Sequence, residues 1–117
     1  MQTIADKKPR EPTDIARLVA AATLQVSGVA SLSSGRFAEV ATYGPQERVP
    51  GVVVSQSAEA LWLEIHVVAA YSPTMDLPQI AQDIRVAARA SIEEPGADQP
   101  TNVDVIIDDL AFSESKQ

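Results

Sequence analysis

His66 is the one side chain in this sequence that could transfer protons near neutral pH, and the chain has no cysteine to serve as a nucleophile. Glu64 lies two residues before it in a segment whose apolar residues alternate, which predicts a β-strand. Side chains two positions apart on a strand share a face at about 7 Å, which one water molecule can bridge. No nucleophile or oxyanion-stabilising group accompanies the pair, so we expect His66 to face solvent. A small enzyme based on Glu64 and His66 is kept as an alternative.

Acidic residues are frequent near the C-terminus, at Asp104, Asp108, Asp109 and Glu114. Asp104 and Asp108 share one face of a predicted strand, but the strand rise separates them by roughly 13 Å. Joint coordination of a calcium ion requires ligand oxygens at ~2.4 Å, and the glycine of a calcium-binding loop is missing here. We therefore expect a solvated acidic strand that discourages pairing between molecules, and no metal or cofactor site.

Composition limits the function classes that remain. The chain has 117 residues, of which 45% are hydrophobic, enough for one domain with an apolar core. A net charge of −7 disfavours binding to a phosphate backbone, so a K-homology-like RNA-binding module is an alternative only. No segment approaches the ~20 apolar residues that cross a bilayer, and no signal peptide is evident. We expect a cytoplasmic protein that does not insert into the membrane.

Two amphipathic helices are predicted. The first covers about 13–26, with Thr13 as its N-cap and a stop at Ser27-Gly28. The second begins after Asp76, the expected cap, with Gln79 as its capping-box partner. It carries apolar residues at four-residue intervals and ends at 94–96.

Strands are predicted at 52–56, 61–71 and 103–110, with a shorter piece at 29–32. The segment 36–43 is ambiguous between a strand and a loop. The order of elements predicts an α+β fold, with a small mixed or antiparallel sheet of three to four strands and two helices packed on one of its faces. We expect a flexible leader at 1–11, a single domain at 12–112 and a flexible tail at 113–117.

Several apolar side chains fall on the sheet face away from the predicted helices. They are Trp62 and Val68 on the long strand, Ile106 on the last strand and Val53 on the first strand of the hairpin. An exposed apolar patch that includes an aromatic residue is typical of a partner interface. Two interpretations stay open, because residues 36–50 could instead fold over this face and bury Trp62.

Three sequence blocks resemble the alkaline shock protein family. The first is the helix that leads into Val-Ser-Gly-Val-Ala at 26–30, where the family typically has Val-Pro-Gly-Val. The second is the long apolar strand 61–71, which ends in an aromatic residue. The third is the helix that opens with Leu-Pro-Gln-Ile-Ala at 77–81, followed by the strand Asn-Val-Asp-Val at 102–105. Ser27 departs from the family pattern, as does the long polar segment 36–50.

The resemblance implies a function without catalysis. Family members are cytoplasmic scaffold or interaction proteins linked to cell-envelope stress, and some are held at the inner face of the membrane by an anchor protein. The resemblance provides no catalytic, cofactor or metal residues to transfer. We therefore expect Trp62, Val68, Ile106 and Val53 to bind a protein partner or a second copy of the chain, and we expect no nucleic acid or small-molecule substrate.

Overall fold

The structure is a computed structural model, and it describes residues 11–35, 39–93 and 101–113. These residues form an α+β fold of two helices and six strands, which confirms the predicted fold class. In chain order the elements are α1 Pro12–Leu24, β1 Val29–Leu32, β2 Ala41–Gly44, β3 Glu47–Pro50, β4 Val52–Gln56, β5 Leu61–Ala70, α2 Leu77–Ile92 and β6 Thr101–Ala111. Most of the predicted leader and tail lies outside the described residues.

The long strand β5 is the centre of a mixed four-stranded sheet. On one side, β6 runs parallel to it along its whole length. On the other side, β4 pairs with the first half of β5 and β1 with the second half, both antiparallel. The parallel pair is connected through α2, as a parallel pair requires a long crossover. Strands β2 and β3 form a separate two-stranded hairpin.

Both helices pack on the same face of this sheet. Along β5 buried and exposed residues alternate, because successive side chains point to opposite faces of a strand. The buried set, Leu61, Leu63, Ile65 and Val67, joins apolar residues of both helices in one core. The helices contribute Ile15, Ala16, Val19 and Ala20 from α1, and Ile80, Ile84 and Ala88 from α2.

The first helix begins and ends earlier than the sequence predicted. Glu11 is the N-cap residue and makes no capping hydrogen bond through its side chain, so the prediction of Thr13 as cap is wrong. Pro12 starts the helix because its fixed φ suits the first helical position. Thr13 is instead buried inside the first turn. The helix ends at Leu24, and Gly28, with φ of 97°, lies in the turn that follows.

The second helix confirms one predicted contact and corrects another. The carboxylate of Asp76 accepts a hydrogen bond from the backbone N–H of Gln79 at 3.1 Å, so Asp76 is the cap. The side chain of Gln79 does not return to Asp76, as a capping box requires, but donates to Asp83 at 2.9 Å. That carboxylate is one helical turn ahead and offers a charged acceptor. The predicted stop at 94–96 lies outside the described residues.

The middle of the chain leaves one sheet face uncovered. The hydroxyl of Thr42 on β2 donates to the carbonyl of Val52 at 2.6 Å and accepts from the N–H of Val54 at 3.2 Å, which holds the hairpin against β4. Glu47 on β3 bonds to Arg17 of α1 at 3.1 Å. Since the hairpin packs against α1 and β4, residues 39–50 do not bury Trp62, and the interpretation in which they cover it is wrong for this part of the chain.

Candidate functional site

The sheet face opposite the helices, called the open face below, brings together the four residues predicted as an interface. Trp62 retains 45% of its surface exposed, while Val53, Val68 and Ile106 are half-buried. The register places Val53 beside Glu64 and Ile106 beside His66.

The apolar residues of the open face are not centred on the tryptophan. The direct neighbours of Trp62 are Ser55 and Asn102, both polar. Trp62 and Val68 lie six residues apart on β5, about 20 Å along the strand. The patch therefore has Trp62 at one end, Ile106 and Val68 beside His66 toward the other end, and Val53 between them.

His66 is held between two carboxylates. Its Nε2 lies 2.6 Å from Oε2 of Glu64 on the same strand, and its Nδ1 lies 2.9 Å from Oδ2 of Asp108 on β6. The side chain is only 12% exposed. The prediction of a solvent-facing histidine is wrong. Glu64 bonds directly to one ring nitrogen, and the pairing of β5 with β6 brings a second carboxylate to the other.

Two irregularities in the sheet meet at His66 and create this arrangement. On the β6 side the register shifts after Val67, so that Asp108 is an extra residue that reaches back to the ring. On the other side of β5, His66 lies between Ile65, which pairs with Val52 of β4, and Val67, which pairs with Leu32 of β1. The N–H of His66 donates to the carbonyl of Gly51, and its carbonyl accepts from the N–H of Ser33.

Gly51 makes this junction possible. Its φ is 87°, and a Cβ at this position would lie 2.7 Å from Cβ of Leu32 on β1. Only glycine adopts this backbone without strain and leaves room for the neighbouring strand.

The contact between Asp108 and His66 was not predicted from the sequence, because the alternation of apolar and polar residues along a strand does not reveal a β-bulge. The adjacent pair Asp108-Asp109 was the only visible irregularity.

Both ring nitrogens of His66 face acceptors, which favours the charged form. A neutral imidazole has one N–H and satisfies one carboxylate, whereas an imidazolium donates to both. Burial lowers the pKa of His66, but the hydrogen bonds to Glu64 and Asp108 and the charges of these groups outweigh it, and the pKa is raised above 6.5. With both nitrogens bonded, the ring links β5 to β6 and has no lone pair available to take a proton from a substrate.

The open face also carries unneutralised negative charge. Asp104 is exposed and lies beside Glu64 in the register, and its carboxylate makes no hydrogen bond or salt bridge with any residue that the structure describes. Asp109 lies beside Val68 and accepts the N–H of Leu110 at 2.8 Å. None of the four strands of this sheet contains lysine or arginine. The predicted acidic strand is thus solvated at Asp104, whereas Asp108 is bonded to His66; Glu114 lies outside the described residues.

Other kinds of site find little support in the described part of the chain. Among residues 11–35, 39–93 and 101–113, no three metal-binding side chains are grouped to hold an ion. Neither described helix is long and apolar enough to cross a membrane. A shallow depression of about 510 Å³ lies on the outer side of α1, where it is lined by Asp14, Arg17, Leu18 and Ala21. It belongs to the helix layer and not to the open face.

Comparison with known proteins assigns no family. No protein-family model, no curated protein and no solved structure matches the chain. The resemblance to the alkaline shock proteins therefore stays a prediction, based on the sequence blocks described above.

Proposed function

We propose that this chain is a non-catalytic interaction protein that self-associates through its open face. The observation that carries the proposal is the exposure of Trp62 on a sheet face that no described helix or hairpin covers. Large exposed aromatic residues are costly to leave in water and are enriched where proteins bind one another. Three half-buried aliphatic residues of the same face, Val53, Val68 and Ile106, extend the apolar surface available to a second copy.

A role in the response to cell-envelope stress is the second part of the proposal. Its support is the resemblance to the alkaline shock proteins, which also underlies a cytoplasmic location. In this proposal any association with the inner face of the membrane is indirect and comes from a partner protein.

The alternatives make different predictions about the same face. An RNA-binding module would place phosphates near the carboxylates of Glu64, Asp104 and Asp109, where like charges repel. An enzyme would need a free nitrogen on His66, and both are bonded. A salt-dependent shift of RNA by low micromolar protein, or a pH-dependent activity that His66→Ala abolishes, would support these alternatives over the proposal.

Light scattering behind size exclusion, over a series of protein concentrations, tests self-association. We expect the mass of the wild type to rise from that of one 12.4 kDa chain as concentration increases. Trp62→Ala should remain monomeric, because it removes the exposed aromatic surface.

Tyr43→Ala is the matched control, since it removes an exposed aromatic residue from the β2–β3 hairpin and should assemble as the wild type does. Far-UV circular dichroism confirms that each variant is folded. A monomeric wild type at all concentrations, or assembly that Trp62→Ala leaves unchanged, contradicts the proposal.

A further inference from the structure

Four carboxylates lie on the open face around a single imidazole. Glu64 and Asp108 bond to the two ring nitrogens of His66, at 2.6 Å and 2.9 Å. Asp104 and Asp109 pair with residues of β5 that lie on the same face. The four strands of this sheet contain no lysine or arginine, so His66 is the only side chain on them that can carry a positive charge.

One proton decides how much of this negative charge is offset. Carboxylates ionise near about pH 4, and tyrosine and lysine lose their protons near about pH 10. Because the chain has one histidine and no cysteine, His66 is the only side chain expected to change its charge between pH 6 and pH 9. Burial lowers the pKa of His66, but the hydrogen bonds and charges of Glu64 and Asp108 outweigh this effect and raise the pKa above 6.5.

The other elements next to His66 bring no further charge to the ring. On the side of β4 and β1, its backbone bonds to Gly51 and Ser33, which do not titrate. On β6, Ile106 lies beside it in the register. Both helices pack on the opposite face of the sheet. Among the residues that the structure describes, Glu64 and Asp108 are therefore the charged groups that contact the imidazole.

Self-association through the open face brings two such groups of charges together. Two-fold contacts are the commonest between identical chains, and they place the same residues on both sides of the interface. The carboxylates of one copy then lie across from those of the other, and like charges across an interface oppose binding. Trp62 and the aliphatic residues of the face favour binding. The balance between these effects depends on whether His66 carries its proton.

We propose that protonation of His66 regulates self-association through the open face, so that copies of this chain bind each other more tightly at pH 6 than at pH 9. This inference rests on the proposed function and adds the regulation of the same surface. The proton offsets one carboxylate on each face. It is also held more tightly in the complex, because a second set of carboxylates lies near each imidazolium. Association therefore takes up protons, and acid favours it.

The dissociation constants of the wild type and of His66→Gln, measured by light scattering at pH 6 and pH 9 in the same salt, test this inference. The wild-type constant should be about tenfold larger at pH 9, within the ~5- to 150-fold range that is usual for coupled sites. Glutamine stays neutral, so the variant should bind at both pH values about as weakly as the wild type does at pH 9. It keeps the α-amino group, which also titrates in this range.

A second pair of variants tests the repulsion without changing the contacts of His66. The carboxylate of Asp104 is exposed, and its removal in Asp104→Asn should tighten association several-fold at both pH values. Asp83→Asn is the matched control, since it removes the same charge from α2, on the other side of the sheet. Its amide oxygen can still accept the hydrogen bond from Gln79, and at physiological salt its distance from the interface should leave the dissociation constant unchanged.

Failure of this inference differs from failure of the proposed function. The regulation is wrong, and self-association stands, if the wild type binds equally at both pH values or more tightly at pH 9. The same follows if the pH dependence persists in His66→Gln, or if Asp104→Asn binds no more tightly than Asp83→Asn. Far-UV circular dichroism at both pH values shows whether each variant is folded, and the wild type and the aspartate pair decide the matter if His66→Gln is not. A wild type that stays monomeric at both pH values overturns the regulation and self-association together.

Discussion

Replacement of His66 by glutamine tests whether the imidazolium links β5 to β6. Glutamine is similar in length and neutral, and its amide can donate to one of the two carboxylates. In the wild type the ring bonds to both Glu64 and Asp108. The variant therefore loses one charged hydrogen bond and weakens the other.

The loss in free energy of unfolding that we expect for His66→Gln depends on how strongly water screens each of the two contacts. The side chain of Glu64 is 48% exposed, so its contact with His66 contributes only ~0.5 kcal/mol, as surface pairs do. The side chain of Asp108 is 28% exposed, and a hydrogen bond to a charged group that is partly shielded contributes about 1.5 kcal/mol. Glutamine recovers part of this, and the free energy of unfolding should fall by about 1–1.5 kcal/mol at mildly acidic pH.

The loss depends on pH in a defined direction. The pKa of His66 in the folded protein is raised above 6.5, so the native state binds the proton more tightly than the unfolded chain. The stabilisation is complete below about pH 6 and declines as the pH rises through the folded-state pKa. The difference between wild type and His66→Gln should therefore be largest near pH 6 and smaller at pH 9.

Urea unfolding monitored by far-UV circular dichroism at these two pH values measures the difference. The same substitution in an Asp108→Asn background serves as the control, since the pH dependence should shrink when one partner of the ring is already neutral. A difference that is equal at both pH values, or larger at pH 9, would refute the argument that His66 is charged between the two carboxylates.

Three further predictions concern the fold that positions the open face, and urea unfolding measures each of them. Ile84→Ala removes a fully buried side chain between α2 and the sheet and should lower the free energy of unfolding by about 3 kcal/mol. Gly51→Ala should cost about 2–4 kcal/mol, because φ is 87° and the added methyl would overlap Leu32; a cost below 1 kcal/mol would show that β1 can move aside. Asp76→Ala should cost about 1 kcal/mol through loss of the α2 cap, whereas Asp76→Asn, which keeps an acceptor oxygen, should cost less.

Local patterns predicted most of the elements correctly. The alternation of Leu61, Leu63, Ile65 and Val67 identified both the strand and its core face, since each of these residues is buried. The cap at Asp76 was also correct, because a capping bond depends on residues three positions apart. Thr13 failed as a cap because the helix begins before it, at Pro12, so that Thr13 lies inside the first turn, where it is buried.

The arrangement of the candidate site was harder to predict than the helices and strands, because it depends on contacts between residues that are distant in the sequence. The side chains of Glu64 and His66 could be assigned to one strand face from the sequence. Their relation to Asp108, which lies 42 residues from His66, required the pairing of β5 with β6 and a bulge in it. A shift of one residue in the register sends a side chain to the other face, and no local signal specifies that shift.

By itself the sequence determined the α+β class, the apolar core face of β5 and the placement of Trp62 on the opposite face, because these properties follow from short-range periodicity. The tertiary structure decided that the β2–β3 hairpin leaves Trp62 exposed and that His66 is held between two carboxylates. Each of these depends on which distant segments come into contact, and that is set by the packing of the whole chain.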